Sequence, residues 1–158
     1  MPNNAIQLTP SRFIMISFTF IPIQPRSQGV ADLVIVRPLM FTESEAKKLA
    51  KQWVAAWNSH DLDEIMSHYA QNVILVSPVA VKLLHDASGT VSGKDALRIY
   101  FRRGLEAYPD LKFELVDVMW GISSVVLYYV NQKGTKTGEF MEVDPDGKIT
   151  RVVANYNG

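Results

Sequence analysis

Glu139 is the residue whose sequence surroundings best suit acid–base chemistry. It lies between Gly138 and Phe140-Met141, in a run that is typical of a strand. Neighbours on a strand face opposite sides of the sheet, so either Glu139 or Phe140 points inward. An inward carboxylate among aromatic side chains would lose hydration, and its pKa would rise until it could act as a general acid or base. An outward carboxylate would be an ordinary surface group, and both orientations stay open.

His85 and Asp86 form a second candidate pair for the chemistry, in the segment that follows the first predicted strand. They could act at a site or simply belong to a polar loop. The chain contains three histidines and no cysteine, which excludes thiol nucleophiles, disulfides and cysteine-ligated metals. No two histidines have the H-x-x-x-H spacing of a helical metal site. We therefore expect neither a metal nor any other cofactor.

Aromatic residues recur at positions where they could line an apolar pocket for a ring-bearing small molecule. The same stripe could equally be plain core. The candidate pocket residues are Trp53, Trp57, Tyr69, Tyr100 and Phe101. Tyr128 and Tyr129 occupy opposite faces of one predicted strand, so one hydroxyl points inward and needs a partner, which Glu139 could provide. Of the two tyrosines, we place Tyr128 with the pocket residues.

Two helices followed by a strand should position these aromatics. A T-x-x-E capping box at Thr42 opens the first helix, whose apolar residues recur at i, i+3 and i+4 as far as Trp57. Asp61 repeats the capping signal for a shorter second helix, whose apolar stripe reaches Tyr69. The β-branched run at 73–77 predicts a strand that the following proline stops.

The rest of the chain predicts one more helix and then only strands. Residues 79–92 have no clear period and are expected to form a loop with a short extended piece. Gly93 opens a third helix, which ends at Tyr108-Pro109. Four strand-like segments follow, among them Ser124 to Asn131. Helices that precede a run of antiparallel strands indicate an α+β fold, with the helices packed on one face of a curved sheet.

Composition limits the partners. The formal net charge is zero, so nothing favours nucleic acid or an anionic membrane, and no apolar run approaches the ~20 residues of a spanning helix. The strand at 124–131 is apolar on both faces, whereas a half-solvated strand should be apolar on one only. Its second face needs a cover, and we expect a homodimer that binds a small apolar molecule, with no nucleic acid and no membrane as partner.

The first 39 residues are expected to be an extension outside the domain, which we place at 40–158. They contain an apolar run at 13–23, but Pro10, Pro22, Pro25 and Pro38 punctuate the region and no helical cap or period is evident. A misassigned start with Met40 as the true beginning, an extra strand, a swapped arm and a secretory signal all stay open. The expected compartment is the cytoplasm, or a secreted or periplasmic location if residues 1–31 are a signal.

A resemblance to a known family rests on four segments in the expected order. They are WVAAWNSHDLD at 53–63, Ser77-Pro78, SGKDAL at 92–97 and DGKI at 146–149. Together they resemble the nuclear-transport-factor-2-like superfamily, in its SnoaL-like polyketide-cyclase and ketosteroid-isomerase-like branch. The resemblance covers residues 41–156. It implies a cystatin-like α+β fold, a conical barrel whose strongly bent antiparallel sheet wraps the long first helix and leaves a pocket.

The family contains isomerases, cyclases, dehydratases, epoxide hydrolases and binding modules, so membership alone does not give a function. Ketosteroid isomerases of this family use a first-helix tyrosine, an aspartate before a proline, and a second acid on a late strand. These positions fall on Trp53, Ser77 and Glu139, and only Glu139 keeps its chemistry, because serine needs a base beside it to abstract a proton. Two functions stay open: an isomerase, cyclase or hydratase acting without a cofactor on an apolar or polycyclic ligand, or a non-catalytic binding or dimerisation module.

Overall fold

The computed structural model describes residues 41–157, so the expectations for residues 1–39 lie outside the described residues. The described part forms an α+β domain. In chain order its elements are α1 (Glu43–Ser59), α2 (Leu62–Ser67), β1 (Tyr69–Val76), α3 (Pro78–Leu84), β2 (Thr90–Ser92), α4 (Lys94–Ala107), β3 (Phe113–Trp120), β4 (Ser124–Asn131), β5 (Lys136–Val143) and β6 (Ile149–Tyr156). None of the helices in this range is both long and apolar enough to cross a bilayer.

Local capping signals set the first two helices as predicted. Thr42 Oγ1 accepts the backbone N–H of Glu45 at 3.3 Å, and the Thr42 N–H donates to Glu45 Oε2 at 2.9 Å. His60 ends α1 in the left-handed conformation, with its Nε2 2.7 Å from the carbonyl oxygen of Leu111. Asp61 then caps α2 by accepting two backbone N–H groups of its first turn. His60 and Asp61 thus have a structural role at the helix junction.

The six strands form one curved sheet that stays unclosed, in the order β2-β1-β6-β5-β4-β3. The predicted α+β class is confirmed, but the sheet is not entirely antiparallel, because β1 pairs with β6 in parallel. Residues 77–148 separate these two strands, and strands can pair in parallel only across a connection of about a dozen residues or more. Local sequence patterns carry no information about that pairing.

Two segments differ from the prediction. Residues 79–92 contain the expected short extended piece, which is β2, but the part before it forms most of α3 instead of a loop. Ser77 caps α3, since its Oγ accepts the Val79 N–H at 3.1 Å, and Pro78 occupies the first helical position, where a missing N–H costs nothing. Tyr69 begins β1 instead of closing the stripe of α2, because that helix ends at Ser67.

Ser77 and Gly89 join the two ends of the α3 segment. The Ser77 N–H donates to the Gly89 carbonyl oxygen at 2.9 Å. Gly89 has a φ of 58°, and a Cβ atom there would lie 2.8 Å from the Ser77 carbonyl oxygen. Only glycine fits this close approach without movement of the backbone.

The two faces of the sheet differ in what covers them. On the inner face, alternate residues of β4 and β5 are buried against α1, and Leu127 and Met141 have no exposed surface. The outer face carries a row of side chains that sit beside one another on five neighbouring strands and are half-buried or exposed. This outer row consists of Met119, Val126, Phe140, Val153 and Val76.

Candidate functional site

A cavity of about 150 Å³ lies between the helices and the inner face of the sheet. Its walls come from α1, α3 and α4 on one side and from the strands on the other. Most of the side chains that line it are aromatic or aliphatic. An engineered apolar cavity of similar volume holds one benzene molecule. The space inside therefore suits a single ring or a short chain.

The carboxyl group of Glu139 lies inside this cavity, and the side chain is only 5% exposed. The structure turns Glu139 inward and Phe140 outward, which decides between the two orientations that the sequence left open. The Tyr129 hydroxyl donates a hydrogen bond of 2.6 Å to Glu139 Oε2. Burial raises the pKa of Glu139 to about 7, and the Tyr129 hydrogen bond opposes that rise only in part. Near neutral pH the carboxyl group is therefore present in both protonation states.

Among the described residues, no basic side chain forms an ion pair with Glu139. Two ion pairs join side chains within residues 41–157, Lys47 with Glu43 and Arg98 with Asp63, and both lie elsewhere. A buried carboxylate without a cation favours its neutral form, because burial removes hydration that nothing replaces. The absence of a counter-charge in this part of the chain is what places the pKa close to neutrality.

Other hydroxyl groups face the same cavity. Burial raises the pKa of Tyr100 to about 12, and the negative charge of Glu139 acts in the same direction. Burial also raises the pKa of Tyr156 well above its ordinary value. The Tyr156 hydroxyl lies 3.4 Å from Ser77 Oγ. These tyrosines stay protonated at neutral pH, so they can donate hydrogen bonds to a ligand oxygen but do not compete with Glu139 as bases.

Most of the predicted pocket residues meet at the cavity. Its lining includes Trp53, Trp57, Ser77, Tyr100 and Phe101. Tyr69 does not line the cavity but lies behind it, where its hydroxyl accepts the Trp53 Nε1–H at 2.8 Å. The Trp57 indole N–H is buried without an acceptor in hydrogen-bonding geometry among the described residues. Its dipole still acts on the Tyr69 hydroxyl, where it opposes the increase in pKa that burial causes.

Three predicted site residues lie elsewhere. Tyr128 faces the outer side of the sheet, and Tyr129 is the residue of this pair that reaches the cavity. His85 and Asp86 are exposed and outside the lining, because the formation of α3 makes His85 its C-terminal cap. Asp86 accepts the Ser88 backbone N–H at 2.9 Å, and this bond lowers the pKa of the carboxyl group. The pair belongs to a turn and not to the site.

Sequence reasoning also missed residues that the structure places at the cavity. Tyr129 shares the face of Glu139, because Leu127 pairs with Glu139 and residues two apart on a strand share a face, but that register is not visible in the sequence. The sequence gave no signal for Tyr156, which lies at the end of a predicted strand. It gave none for residues 131–133 either, since their pattern is typical of a solvated hairpin turn. Within residues 41–157, no group of three or more His, Asp or Glu side chains is arranged to hold a metal ion.

The α+β fold and its enclosed cavity define a class of small pocket proteins, and comparison with known proteins identifies the family. The family model described as the SnoaL-like domain matches residues 50–152. This chain belongs to the SnoaL-like family, and the assignment made from the sequence is confirmed. No curated protein matches the chain.

Solved structures of related proteins agree with the assignment. A SnoaL-like protein of unknown function from Burkholderia thailandensis is 35% identical, with a TM-score of 0.72 over 75% of this chain and 99% of that one. A proposed isomerase of the SnoaL-like family from Agrobacterium tumefaciens is 16% identical, with a TM-score of 0.60 over 73% and 99%. The epoxide hydrolase/cyclase-like enzyme SalBIII is 19% identical, with a TM-score of 0.58 over 73% and 92%. At the two lower identities the likeness concerns the fold alone.

Proposed function

We propose that this chain binds a small, largely apolar molecule and catalyses proton transfer on it without a cofactor. The observation that carries the proposal is the Glu139 carboxyl group, which is buried in a largely apolar cavity with a pKa of about 7 and has no ion-pair partner within residues 41–157. General acid–base catalysis is most effective when the pKa of the group lies near the working pH. The descriptions of related structures as an isomerase and as an epoxide hydrolase/cyclase-like enzyme support chemistry of this kind.

An isomerisation shows how the described groups would work together. Ionised Glu139 takes a proton from a carbon next to a ligand carbonyl, and the electron pair of that C–H bond moves towards the carbonyl oxygen. The Tyr156 and Ser77 hydroxyls, 3.4 Å apart on the cavity wall, can donate to the oxygen as its negative charge develops. The protonated Glu139 then returns the proton to a second carbon, and the double bond shifts. Nothing is oxidised or reduced, and the carboxylate is regenerated.

Tyr129 fixes the position of the acid–base group in this scheme. Its hydroxyl donates to one carboxylate oxygen, Oε2, and leaves the other oxygen without a bond among the described residues. That second oxygen is the one available to a ligand. The same hydrogen bond keeps the pKa of Glu139 from rising further, so that the ionised base stays accessible near neutral pH.

A non-catalytic ligand-binding module is the second candidate, and Ser77 favours it. Ser77 stands where the resemblance to ketosteroid isomerases implies an aspartate base. In the structure the Ser77 Oγ caps α3, because it accepts the backbone N–H of Val79. Among the described residues, Glu139 is the only carboxylate in the cavity. A reaction that needs two carboxyl groups of different acidity would therefore lack one of them.

A proton-transfer assay on a one-ring ketone tests the proposal. The probe is 3-cyclohexenone, whose conversion to the conjugated 2-cyclohexenone is followed by absorbance and by deuterium uptake in NMR. The full chain should accelerate the conversion, and Glu139→Gln should reduce the rate by about 10²–10⁴-fold. Glu142→Gln is the matched control, since Glu142 is exposed on the opposite face of the same strand. A wild-type chain that binds the ketone without accelerating its conversion would support the binding module instead.

A further inference from the structure

The exposed edge of the cavity, its mouth, is lined by Asn131 at the end of β4 and by Gln132 and Lys133 in the turn that follows. The side-chain oxygens of the two amides already accept hydrogen bonds. Asn131 Oδ1 accepts the backbone N–H groups of Lys133 at 2.9 Å and of Thr135 at 3.0 Å. Gln132 Oε1 accepts the backbone N–H of Lys112 at 3.3 Å. A backbone N–H can bond only to the oxygen of a side-chain amide, so these contacts fix how both amides are oriented.

The side-chain groups of these three residues that remain unused are donors. The amide nitrogens of Asn131 and Gln132 have no acceptor among residues 41–157, and Lys133 Nζ is in neither of the described ion pairs. Lys133 Nζ lies 5.8 Å from the centroid of the Tyr108 ring, which belongs to the C-terminal end of α4. The ammonium group is therefore held at the rim, within reach of the cavity that Asn131, Gln132 and Lys133 help to line.

Charge is distributed unevenly along the cavity. Among the described lining residues, Glu139 is the only acid and Lys133 the only base. Glu139 lies four residues after Thr135 along the hairpin, a backbone distance of about 13 Å at ~3.3 Å a residue. An anionic group beside ionised Glu139 would be repelled in apolar surroundings, whereas at the mouth it would meet one positive charge and two amide donors.

We infer that the ligand of this cavity carries a carboxylate, held at the mouth by Lys133, Asn131 and Gln132, while its ring or chain extends towards Glu139. The inference rests on the proposed function, because it places the uncharged end of the ligand beside Glu139, the group proposed to transfer the proton. A carboxylate accepts several N–H donors at once, which matches the unused amide and ammonium N–H groups of these three side chains. The site thereby selects small organic acids over neutral and cationic molecules of the same size.

Three one-ring probes of similar size but different charge test this inference on the full chain. They are phenylacetate, its uncharged methyl ester and the cationic phenethylamine, with dissociation constants measured by the quenching of tryptophan fluorescence. The wild type should bind phenylacetate on the order of fivefold more tightly than the ester, as expected for one partly exposed ion pair. Lys133→Met should remove that preference, and Lys133→Arg should keep it. Lys136→Met is the control, since this exposed lysine of the same hairpin does not line the cavity.

Equal binding of phenylacetate and the ester, tighter binding of the amine, or no binding of phenylacetate would each overturn the inference. So would equal effects of Lys133→Met and Lys136→Met. The outcome is separate from that of the ketone assay. A chain that prefers phenylacetate through Lys133 but moves no proton refutes the proposed catalysis alone, and a chain that isomerises the ketone without a charge preference refutes the carboxylate alone.

Discussion

Replacing Glu139 by glutamine should remove most of the pH dependence of stability that arises inside the cavity. The folded-state pKa of Glu139 is about 7 and its ordinary value is 4.5, so the folded chain holds this proton more tightly than the unfolded chain. The resulting stabilisation is fully present below about pH 4.5. It is lost as the pH rises through about 7, where the folded state must bury the ionised group.

The size of the effect follows from the two pKa values. Each tenfold difference in proton affinity corresponds to about 1.4 kcal/mol, so the wild type should lose on the order of 3 kcal/mol of unfolding free energy between about pH 5 and about pH 8. Glutamine cannot ionise, and its side-chain oxygen can still accept the Tyr129 hydroxyl. Its amide N–H groups add a burial cost, but that cost is the same at every pH. The stability of Glu139→Gln relative to wild type should therefore rise by about 3 kcal/mol over this pH range.

Thermal unfolding at the two pH values measures the difference. For a chain of this length, about 3 kcal/mol corresponds to a change of roughly 6–12 °C in the difference between the two melting temperatures. Burial lowers the pKa of His68, but this residue is present in both proteins and cancels in the comparison. Glu142→Gln is again the control, and its melting temperature should run parallel to that of the wild type. If the Glu139→Gln curve also runs parallel, Glu139 is not a buried carboxyl with a raised pKa, and the argument for proton transfer is lost.

Three other predictions concern the hydrogen bonds of the site and the outer face of the sheet. Tyr129→Phe removes the hydrogen bond that opposes the effect of burial, so an NMR titration should find the pKa of Glu139 above its wild-type value; an unchanged or lower pKa would contradict this. Ser77→Ala removes the N-cap of α3 and should cost about 1 kcal/mol in urea unfolding, whereas a neutral effect would mean that the cap is not needed. We propose that a second copy of the chain covers the outer row, so light scattering should show a dimer at tens of micromolar and a monomer for Phe140→Lys. A monomeric wild type would contradict the dimer.

The parts of the fold that depend on local chemistry could be predicted from the sequence. Thr42 and Asp61 cap helices through neighbours within three residues, and those signals are explicit in the sequence. The α3 helix could have been predicted too, because Ser77-Pro78 is a cap followed by a proline at the first helical position. The parallel pairing of β1 with β6 depends on contacts between distant segments, which periodicity does not reveal.

The candidate site was only partly predictable for a related reason. Glu139 and the tryptophans of α1 could be selected by residue type. To choose Tyr129 over Tyr128, one must know which face of β4 points inward. The sequence does not show this, because both faces of that strand are apolar. The side-chain donors at the mouth are available because backbone N–H groups already bond to the amide oxygens. Those bonds form only in the folded hairpin and cannot be read from the sequence.

The hydrogen bond between Ser77 and Gly89 closes the segment that carries α3, so this part of the cavity wall can vary independently of the sheet. The chain between these residues leaves the sheet and returns to nearly the same point, so its length and sequence can change without shifting β1 or β2. Val79 and Leu83, which face the cavity, both lie in this interchangeable piece. Glu139 and its tyrosine partner lie on strands outside it. Evolution, or an engineer, could therefore remodel the ligand preference through α3 while leaving the proton-transferring group untouched.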